Sequence, residues 1–291
     1  MAILISVFLA QVDGIIDADN DILDELERYR QIKQAVSRYS RDNPDEDIDD
    51  VTGDGGQYYV LSTELTNWRE GFSRVLSIDY PAPTVASDEA PAYLDPDNWD
   101  DDYWASGSRY LYLPNHSPAS TETMRIRYTT PWIWGASSTT TAVSQTGHGF
   151  AKDDYVYQDS DSVWQEATSI QIATYQVSAV ADEDSYTVKM LQSSIPTEDF
   201  FIVCNLAASY CCRAMAVKFS KASDSTLSID SSHHRTKASE HAHRADELEQ
   251  QYMDYIGLDG KGGERPASAW VDWDTQPEYG RDWVWHGGYT R

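Results

Sequence analysis

The sequence predicts an α+β fold: a helical core with a long α-helical hairpin, a β excursion and an inserted small all-β domain. Three observations lead there. Two segments in the last third, about 197–221 and 232–256, repeat apolar residues at three-to-four spacing. Runs at 57–80 and 109–130 are rich in aromatic and β-branched residues, in part alternating with polar ones. Residues 131–195 scatter short β-branched runs among Ser, Thr and turn residues. With 291 residues, 41% of them hydrophobic, the chain can bury at least one sizeable core and form one or two domains.

Taken in order, Met1–Ala10 (MAILISVFLA) is apolar, has no Lys or Arg ahead of the apolar run, and falls short of the ~20 residues of a membrane span. It is expected as buried structure, neither signal nor anchor. A first helix follows, capped by Asp19 or Asn20, with Ile22, Leu26, Tyr29, Ile32, Val36 and Tyr39 on one face. The acidic run 43–54 (NPDEDIDDVTGD) carries Pro and Gly and is expected as a solvated loop.

Strands are expected within 57–80, stopped by Pro81 and Pro83, then at 109–114 (RYLYLP) and 123–130 (TMRIRYTT). Thr197 is placed to cap a central buried helix running to about Lys221, with Phe200, Val203, Leu206, Ala207, Tyr210, Ala214, Val217 and Phe219 spread over most of its circumference. The last helix has a narrower stripe of Ala238, Ala242, Ala245, Leu248, Tyr252 and Tyr255. That stripe suits a helix hairpin with a core of Leu206, Tyr210, Ala214, Leu248 and Tyr252, and Gly257 stands at the expected stop.

The net charge of −26 comes from 48 acidic against 22 basic residues and is spread over the chain. Such a surface repels phosphate, and no basic stripe is visible for nucleic acid. Dispersed short carboxylates fit a protein that works in strong brine, where salt screens self-repulsion; ordinary acidity is the plainer alternative.

Chemistry is sparse. No nucleophile elbow, zinc-protease helix, phosphate loop or dinucleotide fingerprint is present. Cys204, Cys211 and Cys212 share one helix and suit buried packing better than a disulfide framework or zinc. His233, His234, His241 and His243, near Glu240 and Asp246, lie at spacings that scatter them around a helix among Arg235, Lys237 and Arg244, so a solvated polar face is expected. Asp95, Asp97, Asp100, Asp101 and Asp102 begin like a calcium loop but lack its Gly and terminal Glu; a solvated acidic loop is expected. No catalytic residue, cofactor or metal is assigned.

Residues 258–291 hold four of the ten tryptophans without long periodicity. Trp270, Trp273, Trp283, Trp285 and Tyr289 suit a segment that docks into pockets of a neighbour, since Trp removes much apolar area from water for few frozen torsions. Stacking on sugars is the competing use.

The ordered stretches YYVLSTELTNWREGFSRVLSIDYP (58–81), PAYLDPDNW (91–99), RYLYLPNHSP (109–118), RIRYTT (125–130) and 204–257 resemble the head–tail connector (adaptor) proteins of tailed bacteriophages and archaeal tailed viruses. The resemblance covers about two thirds of the chain and implies a non-enzymatic subunit of a closed ring, commonly of twelve copies. The ring would sit under the portal at the virion neck, assembled in the host cytoplasm, with portal and tail-side connector or tail-completion proteins as partners. DNA would pass through the lumen without sequence-specific binding, and no membrane is involved. On this reading 1–128 with 196–257 is the adaptor core, 129–195 an inserted small β-barrel-like domain, and 258–291 the docking tail. A carbohydrate- or receptor-binding virion protein using the β insert is the alternative.

Overall fold

The computed structural model describes residues 3–16, 22–82, 91–105, 108–222 and 228–257, and shows helices together with antiparallel sheets, an α+β fold. The docking-tail residues 258–291 lie outside the described residues, as do Asp19 and Asn20.

A two-residue strand β1 (Ile3–Leu4) leads into α1 (Ile5–Ile16), whose Ile5, Phe8, Leu9, Val12 and Ile16 are buried. Helix α2 (Glu25–Asp42) starts later than the spacing suggests. Asp24 accepts from the Glu27 amide at 2.7 Å while Glu27 accepts from the Asp24 amide at 3.0 Å. This reciprocal box satisfies two end donors and fixes the start, leaving Ile22 ahead of the helix and Leu26 exposed. The face of Ile32, Ala35, Val36 and Tyr39 is buried.

The acidic run 43–54 is a correction: Asp45–Thr52 forms strand β2, not a loop. It pairs residue by residue with β7 (Thr123–Thr130), and β4 (Val75–Asp79) flanks β7 on the other side. Arginines of β7 neutralise carboxylates of β2, and Val51 enters the core, so the strand gains partners that a solvated loop would lack. A second small sheet orders β3 (Tyr58–Val60), β6 (Ser108–Tyr112) and β5 (Asp100–Ala105) as β3-β6-β5; a four-residue helix α3 (Leu61–Glu64) follows β3. Asp95–Asp102 therefore is not one solvated loop either: Pro96–Asn98 make a 3-10 turn and Asp100 opens β5. The two small sheets enclose a common core of Val51, Tyr59, Leu65, Trp68, Leu111, Ile126 and Tyr128.

Five strands lie within 134–193: β8 (Trp134–Ser144), β9 (Tyr155–Gln158), β10 (Trp164–Glu166), β11 (Tyr175–Asp182) and β12 (Ser185–Ser193). They form a six-stranded antiparallel sheet whose sixth member is β1, paired to the end of β12 through Ile3–Ser193 and Leu4–Gln192. Val156, Val177, Tyr186 and Val188 fill its own small core.

Helix α4 (Phe200–Ala222) packs along α1 and α2. It is long and apolar enough to cross a membrane by length and composition, and Val203, Leu206, Ala207, Cys211 and Met215 are fully buried in the fold. Asp199, not Thr197, is the residue before the first turn; its carboxylate accepts from the Tyr39 hydroxyl. Val217 is exposed, so the buried arc of α4 is narrower there than its composition suggests. Helix α5 (Ser228–Ile256) ends at Gly257, whose φ of +79° is a left-handed conformation that favours glycine.

Candidate interaction surfaces

The first surface is the seam of α2, α4 and α5. Arg38 of α2 reaches Asp42 at 3.3 Å, donates to the Tyr210 hydroxyl of α4 at 3.4 Å and pairs with Glu249 of α5. Glu249 also takes Arg213 of α4, which lies 3.2 Å from Asp246. Asn205 donates to Gln251 at 3.0 Å, and the Tyr252 hydroxyl donates to Asp42 at 2.7 Å. Burial first, and then the Asp42 carboxylate, pushes the Tyr252 phenol well above its ordinary range.

Among the residues expected in the hairpin core, Leu206, Leu248 and Tyr252 are buried, while Tyr210 and Ala214 are half-buried. The α5 stripe is corrected: Ala242 and Tyr255 are exposed, and the buried positions are His241, Ala245, Leu248 and Tyr252. His241 stacks on Phe219 with ring centroids 5.3 Å apart and planes 6° apart. It therefore leaves the polar face assigned to the histidines, because an aromatic ring of α4 offers its apolar body a partner.

His234 is half-buried near Phe219, His243 is exposed beside Glu247, and the His233 side chain is outside the described set. Among the described residues no three metal-binding side chains converge. Cys204, Cys211 and Cys212 are buried free thiols, and burial pushes Cys211 up to about 12, away from thiolate chemistry.

The second surface is the outer face of the β3-β6-β5 sheet. Tyr58 stacks on Tyr112 at 4.7 Å, and Tyr103 lies 5.2 Å from Tyr58 and 5.8 Å from Tyr112. Tyr58 and Tyr103 are 46% and 40% exposed, an aromatic surface that the fold does not cover, while the exposed Trp104 pairs with Arg109 and belongs to the opposite face. Alternation explains it: Tyr59 and Leu111 point into the core, so Tyr58, Tyr110 and Tyr112 point out.

Arg109 underlies this sheet. It is 2% exposed, pairs with Asp102 at 2.7 Å and Asp101 at 3.2 Å, donates to the Ser73 carbonyl at 3.0 Å, and sits 5.4 Å from the centre of the Trp68 ring. Two of the acids expected in a solvated loop thus hold a buried guanidinium. On β2 the outward acids form a ladder: Asp50 takes Arg125 at 2.8 Å and Glu46 takes Arg127, while Asp49 accepts from the Tyr128 hydroxyl at 2.8 Å.

Trp164, a tryptophan of the β insert, packs on the small core of the six-stranded sheet with Tyr175 edge-on at 4.9 Å. Arg38, Arg109 and His241 were not singled out from the sequence as contact residues. The alternation of Arg125 and Arg127 in TMRIRYTT was a usable signal for an acidic partner strand; Arg38 offered only its i,i+4 spacing to Asp42, and its partners Tyr210 and Glu249, like those of Arg109, lie on other elements.

No family model matches this chain, and no curated protein is similar to it.

Proposed function

We propose that this chain is a structural virion protein, a head–tail adaptor subunit that forms a ring under the portal and joins it to the tail. In this reading α4 and α5 make the antiparallel hairpin of the ring body, 129–195 is an inserted accessory module, and 258–291 reaches the next protein. The observation that carries the reading is the pair of chemically different surfaces on one body: the uncovered tyrosine face of β3-β6-β5 and the charged seam of α2, α4 and α5. A closed ring needs two different, mutually complementary patches on each subunit. The stretches whose order resembles adaptor proteins contribute Tyr58 and Tyr112 to the first and Arg213, Asp246 and Glu249 to the second, and an acidic wall suits a channel that DNA must traverse without sticking.

The test is assembly of the purified chain in low and high salt, followed by sedimentation and negative-stain microscopy. Closed rings of one symmetry are expected, and they should bind portal protein. A chain that stays monomeric with and without portal would overturn the reading. The stacked Tyr58, Tyr103 and Tyr112 also give the carbohydrate reading a surface, outside the β insert. Glycan binding that disappears in Tyr103→Ala would favour that second reading.

A further inference from the structure

On the side of Trp132 that faces Ser40 and Phe72, the surface departs from the rest of this acidic molecule. Two small clefts, about 240 and 290 Å³, share Ser40, Arg41 and Phe72. Neither is lined by any Asp or Glu, whereas Lys33, Arg41 and Arg74 line them. Arg74 is committed to Asp102 at 2.7 Å, but Lys33 and Arg41 are exposed and form no ion pair among the described residues. In a chain with 48 acids and 22 bases, two uncommitted cations beside one cleft are a local reversal of sign.

The apolar floor is preformed. The Trp132 indole donates to the Asn43 carbonyl at 2.7 Å, its amide donates to Ser40 at 3.2 Å, and its ring lies 6.0 Å from that of Tyr39. Gly71, with φ of +78°, turns the chain so that Phe72 enters both clefts. Each cleft is smaller than the roughly 300–1,000 Å³ of a small-molecule site and suits single anchoring side chains instead. Nucleic acid is a poor occupant, because the adjoining groove past Trp132 carries Asp45, Glu46 and Asp47.

We infer that this cleft receives the segment Trp270–Glu278 of a second copy, with Trp270 and Trp273 as anchors and Asp272 and Asp274 facing Lys33 and Arg41. The sequence WVDWDTQPE alternates indoles with carboxylates, and from Ala267 to Gly280 it holds three acids and no Lys or Arg. It is complementary to the cleft in both respects, aromatic to aromatic and negative to positive. The inference rests on the ring reading: passing a tail to the next subunit would be the heterologous contact that closes the ring.

The experiment uses the full-length chain and a labelled peptide of residues 266–280. The peptide should bind the wild-type chain and bind Lys33→Glu/Arg41→Glu roughly tenfold more weakly or worse. A peptide with Asp272→Lys and Asp274→Lys should show the opposite preference. Both cleft substitutions are at exposed side chains, and circular dichroism melting checks that the fold is kept. Equal binding to both chains would overturn the inference, as would equally tight binding of an acidic peptide lacking tryptophan. In the assembly assay, rings that survive the Lys33→Glu/Arg41→Glu change overturn the exchange alone. A wild-type chain that never forms rings overturns the ring reading and the exchange with it. Recovery of rings on combining Lys33→Glu/Arg41→Glu with Asp272→Lys/Asp274→Lys supports both.

Discussion

The two β regions of this molecule give the same abundant residue different partners. In the sheets between β2 and β7, aspartates sit on strands and take charged or phenolic side-chain partners as well as backbone amides: Arg125 on Asp50, Arg109 on Asp101 and Asp102, Tyr128 on Asp49. In the six-stranded sheet no ion pair forms among the described residues of 134–193, and aspartates sit at turns held by backbone amides. Asp159 accepts from Asp161 and Val163 at 3.0 and 2.9 Å, Asp182 from Asp184 at 2.9 Å, and Asp154 from Ala151 at 2.6 Å. The difference teaches that an acidic stretch has no fixed structural meaning. Where a cationic strand lies alongside, it pairs into a sheet; where none does, it closes turns.

The strongest way to break that comparison is to remove the cation at its most buried point. Arg109→Leu should destabilise the fold by about 3–5 kcal/mol, because it leaves Asp101 largely buried without its partner and orphans the Ser73 carbonyl. Urea unfolding measures it. A loss under about 1 kcal/mol would show that the pair is solvated like a surface pair and that the two regions do not differ in kind.

Tyrosines give the next effect. Burial pushes Tyr128 up, with the Asp49 and Asp47 carboxylates adding to it; burial alone pushes Tyr186, in the six-stranded sheet, up to about 12. Both folded values lie above the ordinary phenol value of about 10, so both tyrosines contribute stability in full below that pH and lose it as pH rises through the folded value. Tyrosinate absorbance followed in low and high salt should separate them. Salt should bring the Tyr128 titration down and leave that of Tyr186 nearly in place, since screening acts on charges and not on burial. Equal salt shifts would count against the carboxylate contribution at Tyr128.

The surface ladder should matter less. Arg127→Gln, which releases Glu46 at a half-exposed site, is expected to cost under about 1 kcal/mol in dilute buffer and almost nothing in strong brine. A cost that persists in brine would mean that β2 depends on this pair for its place in the sheet, not on Val51 and its backbone pairing.

How much of this was legible follows from where the partners lie. The alternation in TMRIRYTT marks β7 because it is local, and Gly257 marks the end of α5 for the same reason. The strand at Asp45–Thr52 was hidden because its justification is 75 to 81 residues away, on Arg125 and Arg127. His241 was hidden differently. Its neighbours His243 and Arg244 are exposed, and only Phe219 on another helix decides that position 241 faces inward and Ala242 outward. The expected helix-seam residues Leu206, Leu248 and Tyr252 were readable from spacing, while the Arg38–Glu249–Arg213 chain that ties the seam was not, since three separate helices contribute to it.

The smallest effect tests the turn side of the comparison. At Asp159 the amide of Val163 holds the carboxylate below its usual value, and the amide of Asp161 and the side chain of Gln165 add to this. A depressed folded value means that the contribution is complete above the ordinary aspartate value near 3.9 and is lost as pH falls through the folded value. Asp159→Asn keeps an acceptor for the two amides but not the charge, so a small loss is expected at neutral pH, and the difference should vanish in acid, where wild type loses what the amide side chain never had. Unfolding midpoints followed down the acid limb in strong salt check this, because backbone amides carry no charge for salt to screen. If brine removed the acid dependence at Asp159 as completely as it is expected to remove the Arg127 effect, the carboxylate would be responding to the field of the whole acidic molecule, and the distinction between aspartates held by amides and aspartates held by arginines would fail.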